Sequence, residues 1–279
     1  MTDHKQENEH RLKKRASGGH YLDRAKQIRT LRKAAVVLIL AAVAVSLTAV
    51  AVSLVFPRAS EPEIARAAIL DHLSLTFPNP SFIGFATEIL EQAGYMVDYY
   101  PGDEVTVDLY RHLPEHDYSI IILRVHSSAT ELEEGGFAEA PVIFFTAEPY
   151  SPMKHVSSQL AGHLVAVRYT MPESSYYFGI PPEFIAGAMK GRLRDTTVIM
   201  LGCEGLKNSK MAEAFIRKGA GVYIGWDELV SVSRTDQATL YLLAHLLLDN
   251  QTIKEAVENT MNRVGPDLAH DSVLLYYPP

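Results

Sequence analysis

The sequence contains a single cysteine, Cys203, and a single tryptophan, Trp226, among its 279 residues. One cysteine excludes an intramolecular disulfide, and with it the class of small secreted domains that disulfides hold together. The formal net charge of −7 argues against a general nucleic-acid-binding protein, because such proteins present basic surfaces. With 47% hydrophobic residues, the chain has enough apolar side chains to form a core, so wholesale disorder is also excluded.

The charges are distributed unevenly along the chain. Residues 1–33 contain ten Lys and Arg but only four Asp and Glu, whereas the remaining residues contain 16 basic and 29 acidic side chains. A basic N-terminal tail therefore precedes an acidic body. The tail is polar and includes Gly18-Gly19, so we expect no folded core in it.

One long apolar run separates the tail from the body. Ala34–Phe56 is 23 residues long and carries no charged side chain. As a helix it would be about 35 Å long, enough to cross a hydrocarbon core of about 30 Å. A buried helix and a cleaved signal peptide are the alternatives, but a signal peptide has a shorter apolar region, and this run continues past the small-residue site Ala49–Ala51. We predict an uncleaved transmembrane anchor that contacts the lipid bilayer through residues 34–56.

The flanking charges predict the orientation of this anchor. Basic residues are retained on the cytoplasmic side, so we expect residues 1–33 in the cytoplasm and the C-terminal domain outside it, in a single-pass protein. Residues 57–66 are predicted to be a linker and residues 67–279 one folded domain. The run Leu240–Leu248 has only nine residues and is too short to span a bilayer.

The body alternates apolar strands with amphipathic helices. Tyr118–Val125, Thr197–Leu201 and Gly221–Trp226 are apolar without polar alternation, which is typical of strands buried on both faces. Helical periodicity follows Asn79-Pro80, and a Thr252/Glu255 capping box begins the last helix. These patterns predict an α/β domain with a mostly parallel sheet sandwiched between helices.

Two reactive side chains directly follow buried strands of this predicted sheet. His126 follows Tyr118–Val125, and Cys203 follows Thr197–Leu201, with Gly202 and Gly205 allowing a tight turn. Sites in open α/β sheets form beyond the carboxyl ends of strands, and a cysteine nucleophile requires a nearby imidazole. We expect the helix that begins near Asn208 to lower the thiol pKa. The alternatives are a small buried cysteine and a histidine that only ends its strand.

From Ala67 to about Ala256 the chain resembles the caspase-like cysteine peptidases of clan CD, and within them the gingipain and CHAT-domain branch. Five segments carry the resemblance: Asp117–Ser127, Val198–Gly205, Met211–Phe215, Gly219–Trp226 and Ile253–Ala256. The first resembles the family's strand that ends in the catalytic histidine, and the second its strand that ends in the catalytic cysteine. No single segment is specific; their order is what resembles the family.

The resemblance implies that Cys203 attacks a peptide carbonyl and that His126 protonates the leaving amine. It implies an oxyanion site formed by the backbone N–H groups of Cys203 and Ser127, although many relatives have glycine where this chain has Ser127. The gap of 77 residues from His126 to Cys203 is longer than is usual in caspases. The additional segment Glu148–Thr170 can be a lid, a substrate-binding insertion or an extra pair of strands.

Substrate specificity is less well defined by the sequence. Relatives that cleave after Lys or Arg place an acidic side chain in the S1 pocket, and Asp227 or Glu204 can fill that role here; each can also be a solvated loop acid or a cap. Arg124 would suit an acidic P1 residue if its side chain faced the pocket.

Other kinds of site are not supported by the sequence. His112 and His116 have the spacing of a helical metal pair, but Pro114 between them disfavours the helix, and we predict no metal. No phosphate-binding loop, dinucleotide fingerprint or Gly-x-Ser-x-Gly element is present, so no cofactor is expected.

Two functional hypotheses follow. The first is a membrane-anchored cysteine endopeptidase that acts on protein or peptide substrates. The second is a catalytically inactive caspase-like module that binds or senses a partner at the membrane, as Ser127 and the long insertion would allow.

Overall fold

The computed structural model describes residues 26, 29–47, 64–129, 140–169 and 175–278. The chain divides into two units, Met1–Glu63 and Ile64–Pro279, which are described separately.

The first unit contains one long apolar helix, α1, from Arg29 to Leu47. Its 19 residues are long and apolar enough to cross a membrane, and their side chains are exposed. The described part of this helix starts five residues before Ala34, the first residue of the predicted anchor, and includes the basic side chains of Arg29, Arg32 and Lys33, whose long stems can lie along an apolar surface. Residues 48–56 of the predicted anchor lie outside the described residues.

The second unit is built on a six-stranded sheet, counted over the described residues. Its strands are β1 (Arg66–Asp71), β2 (Met96–Pro101), β3 (Tyr118–Arg124), β8 (Thr196–Met200), β9 (Ala220–Trp226) and β10 (Leu274–Tyr277). Their order is β10-β9-β8-β3-β1-β2, and all neighbours are parallel except β9 and β10. The predicted fold class, a mostly parallel α/β sheet flanked by helices, is confirmed.

The helices of this unit are α2 (Pro80–Gln92), α3 (Val107–His112), α4 (Val156–Leu160), α5 (Lys210–Lys218), α6 (Val232–Leu243) and α7 (Ile253–Val264). Local sequence explains where several of them begin and end. The Asn79 side chain accepts a hydrogen bond from the Phe82 N–H, and Pro80 occupies the first helical position. The predicted Thr252/Glu255 capping box begins α7. Gly219, with φ of 113°, ends α5.

The central sheet is buried on both faces because its strands are apolar at consecutive positions. In β3, Ile120 and Ile122 pack with α2, α6 and α7, whereas Ile121 and Leu123 pack on the opposite face with α3 and α5. Burial on both faces is what the absence of polar alternation predicted.

A second, antiparallel sheet consists of β4 (Ser127–Ser128), β5 (Ile143–Pro149), β6 (Val165–Val167) and β7 (Tyr177–Ile180) in the order β4-β5-β7-β6. The Glu148–Thr170 insertion thus contributes α4 and β6 in its described part. After this sheet's last strand along the chain, β7, Phe184–Ala188 forms a π-helical turn. The predicted linker also extends too far, because Arg66 already belongs to β1.

Candidate active site

His126 and Cys203 follow neighbouring strands at the centre of the main sheet. Strands β3 and β8 are parallel, with Leu123 opposite Met200. Each reactive residue comes three positions after that pair, so both lie at the carboxyl edge of the sheet. This edge is where open α/β folds place their sites.

Gly202 brings the two chain segments close together. A Cβ atom at this position would overlap the Val125 carbonyl oxygen and the Met200 side chain and would lie 2.5 Å from Ser127 Oγ. The Ser127 hydroxyl donates a hydrogen bond to the Cys203 carbonyl oxygen. The requirement for glycine therefore comes from this close approach, while Glu204, with φ of 57°, takes the left-handed turn position.

The Cys203 thiol is half-buried and donates to the Val230 carbonyl oxygen, with 3.7 Å between Sγ and O. Burial raises its pKa above the usual value, and the Glu204 and Asp267 carboxylates raise it further. The expectation that a helix lowers this pKa is therefore wrong. Helix α5 begins only at Lys210, seven residues beyond the sulfur, and burial is the larger influence.

The His126 imidazole lies among aromatic rings. Its Nε2 is 3.0 Å from Thr76 Oγ1, and its ring packs edge-on against Tyr169 and His72, with centroids 5.0 and 5.7 Å away. Burial lowers its pKa to about 4, and the Arg124 guanidinium contributes in the same direction. The imidazole is therefore neutral at pH 7.

A cavity of about 460 Å³ lies between these two groups, and both line it. Its apolar lining residues are Leu73, Phe77, Val125, Leu201, Val230 and Val232. Ser231, Ser233 and Thr235 line the rest of the wall with Gly202. The residue that carries the thiol and the residue that carries the imidazole therefore line one cavity.

Arg124 does not reach this cavity. Its fully buried guanidinium donates to Asp71 (Nη1–Oδ1, 2.7 Å), to both carboxylate oxygens of Asp236 (2.8 and 2.9 Å) and to the Phe77 carbonyl oxygen (2.9 Å). The expectation that it binds an acidic P1 residue is corrected, because two buried aspartates already neutralise it.

The two acids considered for an S1 pocket also have other roles. Glu204 is buried, accepts from the Ala129 N–H at 2.8 Å and pairs with Lys207 Nζ at 2.6 Å. Asp227 accepts from the Val273 N–H at 2.8 Å and so joins the end of β9 to the start of β10. Neither is among the residues that line this cavity, and their assignment to an S1 pocket stays a prediction.

Ser127 presents its backbone in a way that suits an oxyanion site. The Phe145 N–H donates to the His126 carbonyl oxygen, which makes Ser127 and Phe144 a non-hydrogen-bonded pair of the antiparallel ladder. In such a pair the backbone N–H groups point away from the partner strand. The Ser127 N–H is therefore directed away from β5.

Sequence reasoning missed several residues around the pair: Asp71, His72, Thr76, Tyr169 and Asp236. His72 is the most informative, since it directly follows β1, and His126 follows β3 after a single intervening residue, Val125. It is buried, its Nδ1 has no hydrogen-bond partner among the described residues, and burial lowers its pKa to about 4. The sequence could have identified His72, because it is a polar residue directly after β1, a third strand of the same sheet. No sequence pattern marks Thr76, Tyr169 or Asp236 as part of the site.

Within the described part of the chain, no group of three or more His, Cys, Asp or Glu side chains is arranged to hold a metal ion. His112 pairs with Glu115 at 2.8 Å, after which α3 gives way to a 3₁₀ turn containing Pro114.

No protein-family model and no curated protein matches the sequence. Among solved structures, the chain is similar to the Arg-specific cysteine proteinase gingipain R, with a TM-score of 0.39 and 11% sequence identity. The likeness covers 72% of this chain and 42% of that one, so the chain spans less than half of the structure it matches.

Proposed function

We propose that this protein is a cysteine endopeptidase whose nucleophile is Cys203 and whose general acid and base is His126. One observation carries the proposal: the thiol and the imidazole line the same cavity, at the carboxyl ends of two neighbouring parallel strands. The resemblance of the segments around both residues to caspase-like peptidases is the further reason for choosing peptide hydrolysis.

The proposed reaction begins from a neutral pair, because burial raises the thiol pKa and lowers the imidazole pKa. The thiol proton passes to His126 as Sγ forms a bond to the scissile carbonyl carbon. The C–N bond then breaks, and the imidazolium returns the proton to the leaving amine nitrogen. A water molecule, deprotonated by His126, hydrolyses the resulting thioester and regenerates the thiol.

The oxyanion formed in both steps needs donors that are already oriented. We assign this role to the backbone N–H groups of Cys203 and Ser127. The support is the direction of the Ser127 N–H, away from β5, and the bond from the Ser127 hydroxyl that fixes it beside the Cys203 main chain. Every group in this proposal belongs to the chain or to solvent, so the proposal requires no cofactor.

We further propose that α1 anchors the enzyme in a bilayer, with the basic residues 1–33 in the cytoplasm and the catalytic domain on the other side. The length and apolar character of α1 support the anchor, and the ten basic residues of the tail support the orientation. Protease added to sealed vesicles of known orientation tests this: the domain should be digested only from the non-cytoplasmic side.

A specific observation also favours the second candidate, an inactive binding module. The Cys203 thiol donates to the Val230 carbonyl oxygen, and the His126 imidazole is hydrogen-bonded to Thr76. Each group is thus bonded to a residue other than its proposed catalytic partner. A substrate that enters the cavity would have to replace these bonds. In an inactive module they would simply persist.

The deciding experiment is hydrolysis of a mixed peptide library by the full chain in detergent micelles. Wild type should cleave peptides, and Cys203→Ala and His126→Ala should not. The matched control is His245→Ala, which removes an imidazole paired with Asp249 on the surface of the domain. Cleavage that survives in Cys203→Ala, or no cleavage by any variant, contradicts the proposal.

A further inference from the structure

We propose that the cavity beside Cys203 is an S1 pocket for an uncharged, apolar side chain such as leucine or phenylalanine. This inference rests on the proposed peptidase function, which it extends to the class of substrate. It differs from what the sequence suggested, since Asp227, Glu204 and Arg124 pointed to a charged P1 residue.

The first argument is the chemistry of the wall. Six of the lining residues are aliphatic or aromatic, from Leu73 and Phe77 on one side to Val230 and Val232 on the other. Leu73, Leu201 and Val230 are themselves at most 6% exposed, so the wall is continuous with the hydrophobic core. Burying an apolar side chain there is favourable because it removes apolar surface from water.

The second argument is the state of the polar groups in the wall. Thr235 Oγ1 accepts from Trp226 Nε1 at 2.9 Å, and the Ser231 N–H donates to Asp267 at 2.9 Å. The remaining polar side chains are small hydroxyls and the neutral His126. A charged P1 group would therefore lose hydration without gaining an ion pair, which is unfavourable.

The third argument concerns the nearby charges. Over the residues that the structure describes, no Asp, Glu, Lys or Arg lines the cavity. Arg124 is paired with Asp71 and Asp236, and Asp267 accepts from three backbone N–H groups, those of Ser231, Ala269 and His270. These charges are engaged by the fold and are not available to a substrate.

The size of the cavity is consistent with this occupant. Its volume of about 460 Å³ is within the range of roughly 300–1,000 Å³ that is usual for small-molecule sites. It can hold the largest apolar side chains together with part of the peptide backbone.

The test uses the full chain in detergent micelles and four tripeptidyl acyloxymethyl ketones that differ only at P1, with Leu, Phe, Arg or Asp. Because Cys203 is the only cysteine, intact-mass measurement reports its labelling directly. We expect the Leu and Phe reagents to label at least tenfold faster than the Arg and Asp reagents. Faster labelling by the Arg or Asp reagent overturns this inference while leaving the peptidase function standing.

Failure of the proposed function gives a different result. If none of the four reagents labels Cys203 faster than iodoacetamide does, binding of the peptide part does not promote the reaction of the thiol. That result contradicts both the proposed function and this inference.

A second variant tests the pocket wall itself. Val232→Asp places a carboxylate at the first residue of α6, where the helix N-terminus favours a negative charge and the fold is retained. It should raise the rate with the Arg reagent at least tenfold relative to the Leu reagent. The matched control is Val156→Asp, at the first residue of α4 and outside the cavity, which should leave that ratio unchanged. An unchanged ratio in Val232→Asp contradicts the assignment.

Discussion

Arg124 connects three segments of the chain that surround the candidate site. Its guanidinium joins Asp71 at the end of β1, Asp236 on α6 and the carbonyl oxygen of Phe77, which lines the cavity. Asp236 in turn accepts from Asn79, the N-cap of α2, at 2.9 Å. The fold therefore uses this arginine to fix the segment that carries Thr76 and Phe77 beside His126.

Replacing Arg124 tests this structural role. Arg124→Met would leave two aspartates buried without a cation, and we expect a loss of about 3–5 kcal/mol in the free energy of unfolding. Urea titration followed by fluorescence of Trp226, the only tryptophan, measures the loss. The control Arg217→Met removes an exposed partner of Glu213 and should change stability by no more than about 0.5 kcal/mol. Equal effects of the two substitutions would contradict the account.

The thiol of Cys203 gives a second prediction at this scale. Because burial raises its pKa, alkylation by iodoacetamide should rise with pH through neutrality without a plateau. The midpoint of the folded chain should lie above that of the urea-unfolded chain, which serves as the reference at about 8.5. His126→Ala should change the midpoint little, since the neutral imidazole stabilises no thiolate. A folded midpoint below the unfolded one would show instead a preformed thiolate–imidazolium pair.

At the scale of elements, the site depends on how closely the segments after β3 and β8 approach each other. Gly202 permits this contact, and the Ser127 hydroxyl bonded to the Cys203 carbonyl fixes it. A side chain at position 202 would force the backbone beyond β8 away from that beyond β3. The distance between the Cys203 sulfur and the His126 imidazole would change with it.

Gly202→Ala tests this contact. We expect it to lower the free energy of unfolding by about 1–3 kcal/mol, as overpacking does, and to reduce peptide cleavage strongly. The matched control is Gly84→Ala in α2, where a Cβ meets nothing within 4 Å and the substitution should stabilise the helix by roughly 0.5–1 kcal/mol. Full activity in Gly202→Ala would mean that the two segments need not be so close.

These elements also show how much the sequence could predict. Continuous apolar runs identified β3, β8 and β9 and their burial on both faces, and the positions of His126 and Cys203 followed from where those runs end. The pairing of β3 with β8 could be inferred only from the resemblance, because strand order depends on contacts between distant segments.

The surroundings of the site were not predictable for the same reason. Arg124 lies at the end of a strand, where alternation cannot specify which face its side chain takes, and its partners are 53 and 112 residues away. The direction of the Cys203 pKa shift was wrong because a sequence reveals a nearby helix but not how deeply the sulfur is buried.

At the scale of the whole molecule, two buried histidines make the stability of the fold dependent on pH. Burial lowers the pKa of both His72 and His126 from 6.5 to about 4. Between these values the unfolded chain binds more protons than the folded one. The contribution of the two neutral histidines to the free energy of unfolding is therefore fully present above pH 6.5 and is lost as the pH falls towards 4.

His72 offers the cleaner test, because within the described part of the chain its Nδ1 has no hydrogen-bond partner, and because phenylalanine has a similar shape. The wild-type chain should lose about 3 kcal/mol between pH 6.5 and 4 through this residue alone, at 1.36 kcal/mol per pKa unit. His72→Phe should lose that much less over the same interval in urea titrations. Parallel stability curves for the two chains would show that His72 is not held neutral in the folded state.

The central claim, that His126 exchanges protons with the Cys203 thiol and the leaving amine, is tested most directly by comparing two substrates with the same acyl group. One is a leucine-P1 peptide amide, whose amine must be protonated to leave, and the other is the matching p-nitrophenyl ester, whose phenolate leaves unaided. His126→Ala should lower kcat/KM for the amide by about 10²- to 10⁴-fold and for the ester far less, while Cys203→Ala abolishes both. Equal losses for the two substrates, or none for either, would contradict the account.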